Sequence, residues 1–204
     1  MPDEPHEGRD AALIVERRGG AAVVRFNRPA ERNPLSVAVL EELEETFRAL
    51  VEREGVRAVV FAGSGGVFAS GADIREVGAL APEEAREFSR RGQRLMRLVD
   101  DAPRLTIAAV EGFCMGGALD LALVCDLRVA SPGAIFAHPG ARLGIITGWG
   151  GTQRLTRLVG PARALEMFLT ALRVSAEEAL RIGLVNRLGE PALECALELA
   201  EGAK

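Results

Sequence analysis

Short apolar runs alternate with amphipathic helical segments along most of this chain. Runs typical of strands cover 12–16, 21–26, 56–62, 105–110, 127–130 and 184–187. Helical periodicity covers 36–53, 82–101 and 116–124, and the pattern is mostly helical from 150 onward. Strands that alternate with helices predict an α/β fold with crossover connections. Residues 17–20 predict a hairpin turn between the first two strands.

Length and composition limit the organisation and the function classes. The 204 residues fit one domain, which we expect to have a flexible N-terminus (1–11), a core (12–190) and an amphipathic C-terminal helix (191–204). No apolar run approaches the length of a membrane span, and no secretory signal is evident. The net charge of −4 argues against nucleic-acid binding. Three cysteines without metal-like spacing predict reduced thiols, a cytoplasmic location, and neither metal nor redox cofactor.

Three glycine-rich segments are the candidates for chemistry, and they cover 63–73, 111–120 and 138–154. A glycine loop after a strand can present backbone N–H groups to a ligand, and a loop that enters a helix adds the positive end of the helix dipole. Such a place suits an oxygen that becomes negative during a reaction. Glycine pairs also mark tight turns or close packing, so the pattern alone leaves both interpretations open. No segment has the spacing of a phosphate-binding loop or a dinucleotide fingerprint.

At these segments the chain closely resembles the crotonase superfamily, also called the enoyl-CoA hydratase/isomerase family. The matching motifs are NRP and NPLS (27–29 and 33–36), FASGAD (68–73), residues 116–126, GGTQRL (150–155) and ALRIGLVN (179–186). The resemblance implies a crotonase (ClpP/crotonase-like) α/β spiral of ββα units, here with a shortened C-terminal helical extension. It also implies an acyl-CoA thioester as substrate, with coenzyme A as part of that substrate rather than as a cofactor.

The resemblance assigns roles to backbone groups in the first two segments. The N–H groups of Ala72 and Gly117 would bind the thioester oxygen as catalytic groups. Further substrate contacts are expected along the loop 31–35 and at these positions: Ala69, Gly71, Asp73, Ile74, Arg75, Gly116 and Gly140. Arg75 could meet a CoA phosphate or be an exposed helix arginine, and Asp73 could simply cap the next helix.

The chain departs from the family at both catalytic glutamates. Where hydratases of the family carry two glutamates, this chain has Asp120 and Gly140. Hydration needs a base and an acid near one water, so a single acid fits an isomerisation better. Asp120 is the candidate acid/base, although an aspartate in a first helical turn can also be structural.

Two other residues of the third segment are possible contributors. His138 could act as an acid or base near neutral pH or be a hydrogen-bonded loop residue. Trp149 replaces a typically small residue, and it could narrow the acyl pocket or pack under the loop.

The sequence therefore predicts an enzyme of the enoyl-CoA hydratase/isomerase family, of the lyase or isomerase type. By resemblance we expect a homo-oligomer, either a trimer or a dimer of trimers. The alternative is a catalytically degenerate acyl-CoA-binding protein or partner subunit, because the second glutamate is missing and the chain ends before the usual C-terminal helices.

Overall fold

A computed structural model describes residues 11–202, so most of the expected N-terminal flexible segment and residues 203–204 lie outside the described part. A six-stranded sheet forms the centre. Its strands are β1 (Leu13–Arg18), β2 (Ala21–Phe26), β4 (Ala58–Gly63), β6 (Leu105–Val110), β8 (Leu127–Ala130) and β11 (Arg187–Leu188). These strands lie in chain order across the sheet. Within this sheet, as described over residues 11–202, β1 and β2 form the one antiparallel pair, as expected of a hairpin.

Two smaller sheets lie outside the main sheet and include residues of the glycine-rich segments. A two-stranded parallel pair joins β3 (Pro34–Leu35) to β5 (Gly71–Ala72). A three-stranded sheet contains β7 (Phe113–Met115), β9 (Ile135–Ala137) and β10 (Val174–Ser175). Strands this short have no apolar alternation to read, and the sequence did not predict them.

The helices fall close to the predicted segments. They are α1 (Val37–Glu52), α2 (Ile74–Ala79), α3 (Pro82–Asp100), α4 (Gly117–Val124), α5 (Gly151–Val159), α6 (Pro161–Thr170), α7 (Ala176–Arg181) and α8 (Ala192–Gly202). Ser36 caps α1 by accepting the Val39 N–H, as predicted. The strand predicted at 184–187 is wrong in position, because β11 is only Arg187–Leu188 and Leu184 is part of the turn after α7.

Both faces of the main sheet are buried. Along β4, Val59 and Phe61 face the larger core beneath α1, α3 and α4, whereas Val60 faces the opposite side. On that opposite side α8 lies across the sheet, and small residues such as Ala196 allow a close approach. The parallel strands therefore read as continuous apolar runs rather than as alternating ones. Among residues 11–202 no helix is long and apolar enough to cross a membrane.

Candidate active site

The first and second glycine-rich segments meet where β5 approaches the start of α4. Gly71 adopts φ +91°, a conformation that favours glycine, and a β-carbon there would lie 2.5 Å from the Met115 carbonyl oxygen and 3.0 Å from the Gly117 nitrogen. Ala72 follows directly and is half-buried, as is Gly117. The structure therefore brings together the two residues whose N–H groups the resemblance assigns to one thioester oxygen.

The start of α4 is arranged as an electropositive helix end. Gly116 adopts φ +53° before the first helical residue, and among the described residues no side chain caps this end. The first N–H groups of a helix have no intrahelical acceptor, and the helix dipole adds a partial positive charge there. The site can therefore receive an oxygen that carries developing negative charge.

Asp120 lies one turn further along α4, and its carboxylate is enclosed. Its side chain is only 1% exposed, and the Thr147 hydroxyl donates a hydrogen bond to Oδ2. Oδ1 packs against the backbone of Gly151, where a β-carbon would collide with it. The carboxylate thus links α4 to the third glycine-rich segment.

His138 is the second buried titratable group at this place. Its Nε2 lies 3.3 Å from Asp120 Oδ1, but the two atoms are not aligned as a hydrogen bond. Within residues 11–202 neither atom has another hydrogen-bond partner. The imidazole also packs against the ring of Phe168, with centroids 4.9 Å apart.

Burial shifts the two pKa values in opposite directions. Desolvation raises the pKa of Asp120 to about 7, while the Thr147 hydrogen bond, the charge of Arg154 and the backbone N–H of Trp149 act to lower it. Desolvation also lowers the pKa of His138 to about 4. Burial therefore favours the uncharged form of both groups, a protonated Asp120 and a neutral His138.

The Trp149 side chain fills the space between α3 and the start of α4. Its indole lies on the backbone of Gly92 in α3 and on that of Gly117, and a β-carbon at either glycine would collide with the ring. The residue is 3% exposed, and its ring lies beside that of Phe88, with ring centroids 5.6 Å apart. Trp149 is thus a buried core residue whose side chain also occupies the space next to Gly117.

Gly140 stands where the family's second glutamate is expected, in a 3-10 helix of residues Pro139–Leu143. A β-carbon there would lie 2.5 Å from the Ile145 carbonyl oxygen, and the Ile145 N–H donates to the Gly140 carbonyl at 3.0 Å. The Ile145 backbone thus occupies the space that a side chain at position 140 would need, so a larger residue there requires residues 144–146 to move.

Three of the residues expected to contact CoA lie at the start of α2. Asp73 caps α2 by accepting the Arg75 N–H at 2.9 Å, and Ile74 is 63% exposed. The Arg75 guanidinium pairs with Asp73 and Glu31, each at 2.8 Å. Ala69 is fully buried between β7 residues and contributes only backbone hydrogen bonds, to Phe113 and Met115.

Sequence reasoning missed Thr147 and the part played by Arg154. The Thr147 contact with Asp120 spans 27 residues, and no local pattern marks it. Arg154 lies in the GGTQRL motif, but only the fold shows that its charge acts on Asp120.

Comparison with solved structures defines the fold class. An enoyl-CoA hydratase from Bacillus anthracis superposes with a TM-score of 0.89 at 35% identity, covering 94% of this chain and 76% of that one. DspI from Pseudomonas aeruginosa gives a TM-score of 0.90 at 36% identity, covering 99% of this chain and 82% of that one. The fold is therefore that of the crotonases.

Sequence comparison gives the family. The chain is 42% identical over 180 residues to a crotonyl-CoA hydratase from Syntrophomonas wolfei, and likewise to a short-chain-enoyl-CoA hydratase from Clostridium acetobutylicum. Each match covers 88% of this chain and 69% of the relative. The family model for enoyl-CoA hydratase/isomerase matches residues 16–201. The chain belongs to the enoyl-CoA hydratase/isomerase family.

Proposed function

We propose that this protein binds a short acyl-CoA thioester and stabilises its enolate, with Asp120 as the group that moves the proton. The observation that carries the proposal is the junction of β5 and α4, where Ala72 and Gly117 lie together and Asp120 follows one turn later. Relatives named crotonyl-CoA hydratase and short-chain-enoyl-CoA hydratase support a short enoyl-CoA substrate.

The backbone supplies the electrostatic part of the reaction. The thioester carbonyl oxygen would accept hydrogen bonds from the Ala72 and Gly117 N–H groups. When an α-proton leaves, the electron pair of the C–H bond moves through the α-carbon to that oxygen, and the preorganised donors stabilise the charge. Each such donor contributes about 3 kcal/mol to the transition state.

Asp120 supplies the proton transfer. As a carboxylate it would take the α-proton of a 3-enoyl-CoA, and as the acid so formed it would return a proton to the γ-carbon, which leaves a 2-enoyl-CoA. This isomerisation needs one proton carrier and consumes no water. A pKa near 7 suits such a group, because both protonation states are populated near neutral pH.

The absence of a glutamate at Gly140 disfavours standard hydration. Addition of water to a 2-enoyl-CoA needs one group to take a proton from water and another to protonate the α-carbon. His138 is the nearest second titratable group, but burial lowers its pKa to about 4, so its neutral imidazole is a weak base for taking a proton from water.

Product analysis tests the proposal. The protein is incubated separately with 3-butenoyl-CoA and crotonyl-CoA, and the products are identified by mass and chromatography. We expect 3-butenoyl-CoA to become crotonyl-CoA at unchanged mass, with little gain of water from crotonyl-CoA. Asp120→Asn should abolish the isomerisation and retain thioester binding. Rapid hydration of crotonyl-CoA by the wild type would contradict the assignment of a single proton carrier.

A second candidate function is acyl-CoA binding without turnover. The enclosure of the Asp120 carboxylate by Thr147 and Gly151 favours it, because a buried acid that ties a loop to α4 has a structural use of its own. The same incubation separates the two, since this candidate predicts that both thioesters bind and return unchanged.

A further inference from the structure

We propose that Trp149 sets the length of the acyl group that the site accepts. This inference rests on the proposed function, since it concerns the acyl chain of a thioester whose oxygen is bound at Gly117. The carbon skeleton of that thioester must extend from a point within hydrogen-bonding reach of Gly117. The benzene ring of the Trp149 indole lies against Gly117, so the acyl chain and the ring compete for adjoining space.

Contacts on several sides fix the position of the Trp149 indole. One edge of the ring packs on Gly92 of α3 and the other on Gly117, while the ring of Phe88 lies beside it at an angle of 43°. The preceding residue is fixed as well, because Gln93 Nε2 donates to the Gly148 carbonyl at 2.7 Å. A ring fixed by contacts at both edges and by its own backbone defines one boundary instead of opening for each substrate.

The space behind the ring does not suit an apolar chain. Trp149 also lines a cavity of 390 Å³ whose other walls are mainly polar, including Gln93, Arg97, Gln153 and Arg154. The indole thus separates the position beside Gly117 from a polar, solvent-connected cavity. A chain of a few carbons can stop at the ring, whereas a longer one would have to displace it.

Chain-length profiles of the wild type and two variants test the inference. Affinity is measured for butyryl-, hexanoyl-, octanoyl- and decanoyl-CoA with the wild type, Trp149→Phe and Trp149→Ala. We expect the wild type to bind butyryl-CoA at least about tenfold more tightly than octanoyl-CoA, the discrimination typical of a pocket with a fixed end. In Trp149→Ala the ratio of the butyryl-CoA affinity to the octanoyl-CoA affinity should fall at least about tenfold. In Trp149→Phe this ratio should lie between those of the wild type and Trp149→Ala.

Phe47→Leu is the matched control, since it shortens a fully buried aromatic residue that stacks on Phe61, away from this site. It should keep the wild-type profile. Equal affinity of the wild type for butyryl- and octanoyl-CoA, or an unchanged ratio in folded Trp149 variants, would overturn the inference. Binding of no acyl-CoA at all would instead remove the proposed function, and the inference with it.

Fluorescence gives an independent measurement that needs no variant. Trp149 is the single tryptophan of the chain and there is no tyrosine, so the intrinsic emission reports this ring alone. Saturating butyryl-CoA should change the emission intensity or wavelength, and coenzyme A without an acyl group should change it much less. Equal responses to the two ligands would show that the acyl group does not reach Trp149, and the inference would be wrong.

Discussion

At the scale of single residues, Asp120 and His138 are a pair of buried groups whose pKa values folding shifts in opposite directions. Burial raises the pKa of Asp120 from 3.8 to about 7 and lowers that of His138 from 6.5 to about 4. From these values we expect the folded pair to carry one proton, on Asp120, between about pH 4 and pH 6.5. The unfolded chain also carries one proton, on His138. Because the proton counts are equal, the pair gives the unfolding free energy little pH dependence in this window.

Replacing either member of the pair should make the unfolding free energy depend on pH, and the two replacements should change it in opposite directions. In Asp120→Asn only His138 titrates, the unfolded state binds more protons, and stability should rise from about pH 4 to pH 6.5. In His138→Gln only Asp120 titrates, the folded state binds more protons, and stability should fall from about pH 4 to pH 7. The limiting slope is about 1.4 kcal/mol per pH unit.

Urea unfolding at several pH values, with each variant compared against the wild type, measures these slopes, because the subtraction cancels the other titrating groups. The neighbours that also act on Asp120 are Thr147, Arg154 and the backbone N–H of Trp149, and the buried Cys114 thiol, whose pKa burial raises, is close to it. All of these groups are present in both variants. Slopes of the same sign in Asp120→Asn and His138→Gln would contradict the assignment of the proton to Asp120.

At the scale of elements, the 3-10 helix Pro139–Leu143 explains why a glutamate cannot simply be restored. Gly140→Glu should lower the unfolding free energy by about 1–3 kcal/mol, because its β-carbon must push away the Ile145 carbonyl. It should not produce hydratase activity, since that displacement also moves the new carboxylate. The measurements are thermal unfolding and hydration of crotonyl-CoA.

Gly133→Glu is the matched control for that substitution, because this exposed glycine has open space where a β-carbon would lie. Its stability should stay within about 0.5 kcal/mol of the wild type. Hydration activity in a stable Gly140→Glu variant would show that the loop is more adaptable than its contacts indicate.

Helix α8 makes a separate prediction, because it covers the second face of the main sheet. Ala196 is fully buried against that sheet, so Ala196→Leu should destabilise the fold by about 1–3 kcal/mol through overpacking. Glu198→Leu places the same side chain on the exposed side of the same helix and should change stability by less than about 0.5 kcal/mol. Chemical denaturation compares the two, and similar losses would mean that α8 is not packed as described.

The elements also show how far the sequence could predict the structure. The strand at 105–110 and the helix from Pro82 were predictable, because a buried apolar run and an N-terminal proline are local signals. The pairing of β3 with β5 was not, since two-residue strands are stabilised by contacts distant in the chain. Thr147 was missed for the same reason, and the enclosure of Asp120 became evident only in the fold.

At the scale of the whole molecule, the sheet and its two layers of helices hold the β5–α4 junction against a loop contributed by residues 138–151. The two proposed backbone donors come from separate parts of the chain, Ala72 from β5 and Gly117 from the start of α4, and Asp120 follows Gly117 by one helical turn. The groups that set the pKa of Asp120 come from residues much further along. The proposed activity therefore depends on long-range packing, which explains why the motifs could point to the β5 and α4 segments but not to the surroundings of Asp120.

Exchange of the α-protons of butyryl-CoA in D2O tests this account most directly, because it requires only an oxyanion site and one base. Mass spectrometry should show deuterium at the α-carbon after incubation with the wild type. Asp120→Asn should show none while still binding the thioester, and Phe47→Leu should exchange like the wild type. Binding of butyryl-CoA by the wild type without any uptake of deuterium would contradict enolate formation. It would leave a protein that holds acyl-CoA without acting on it.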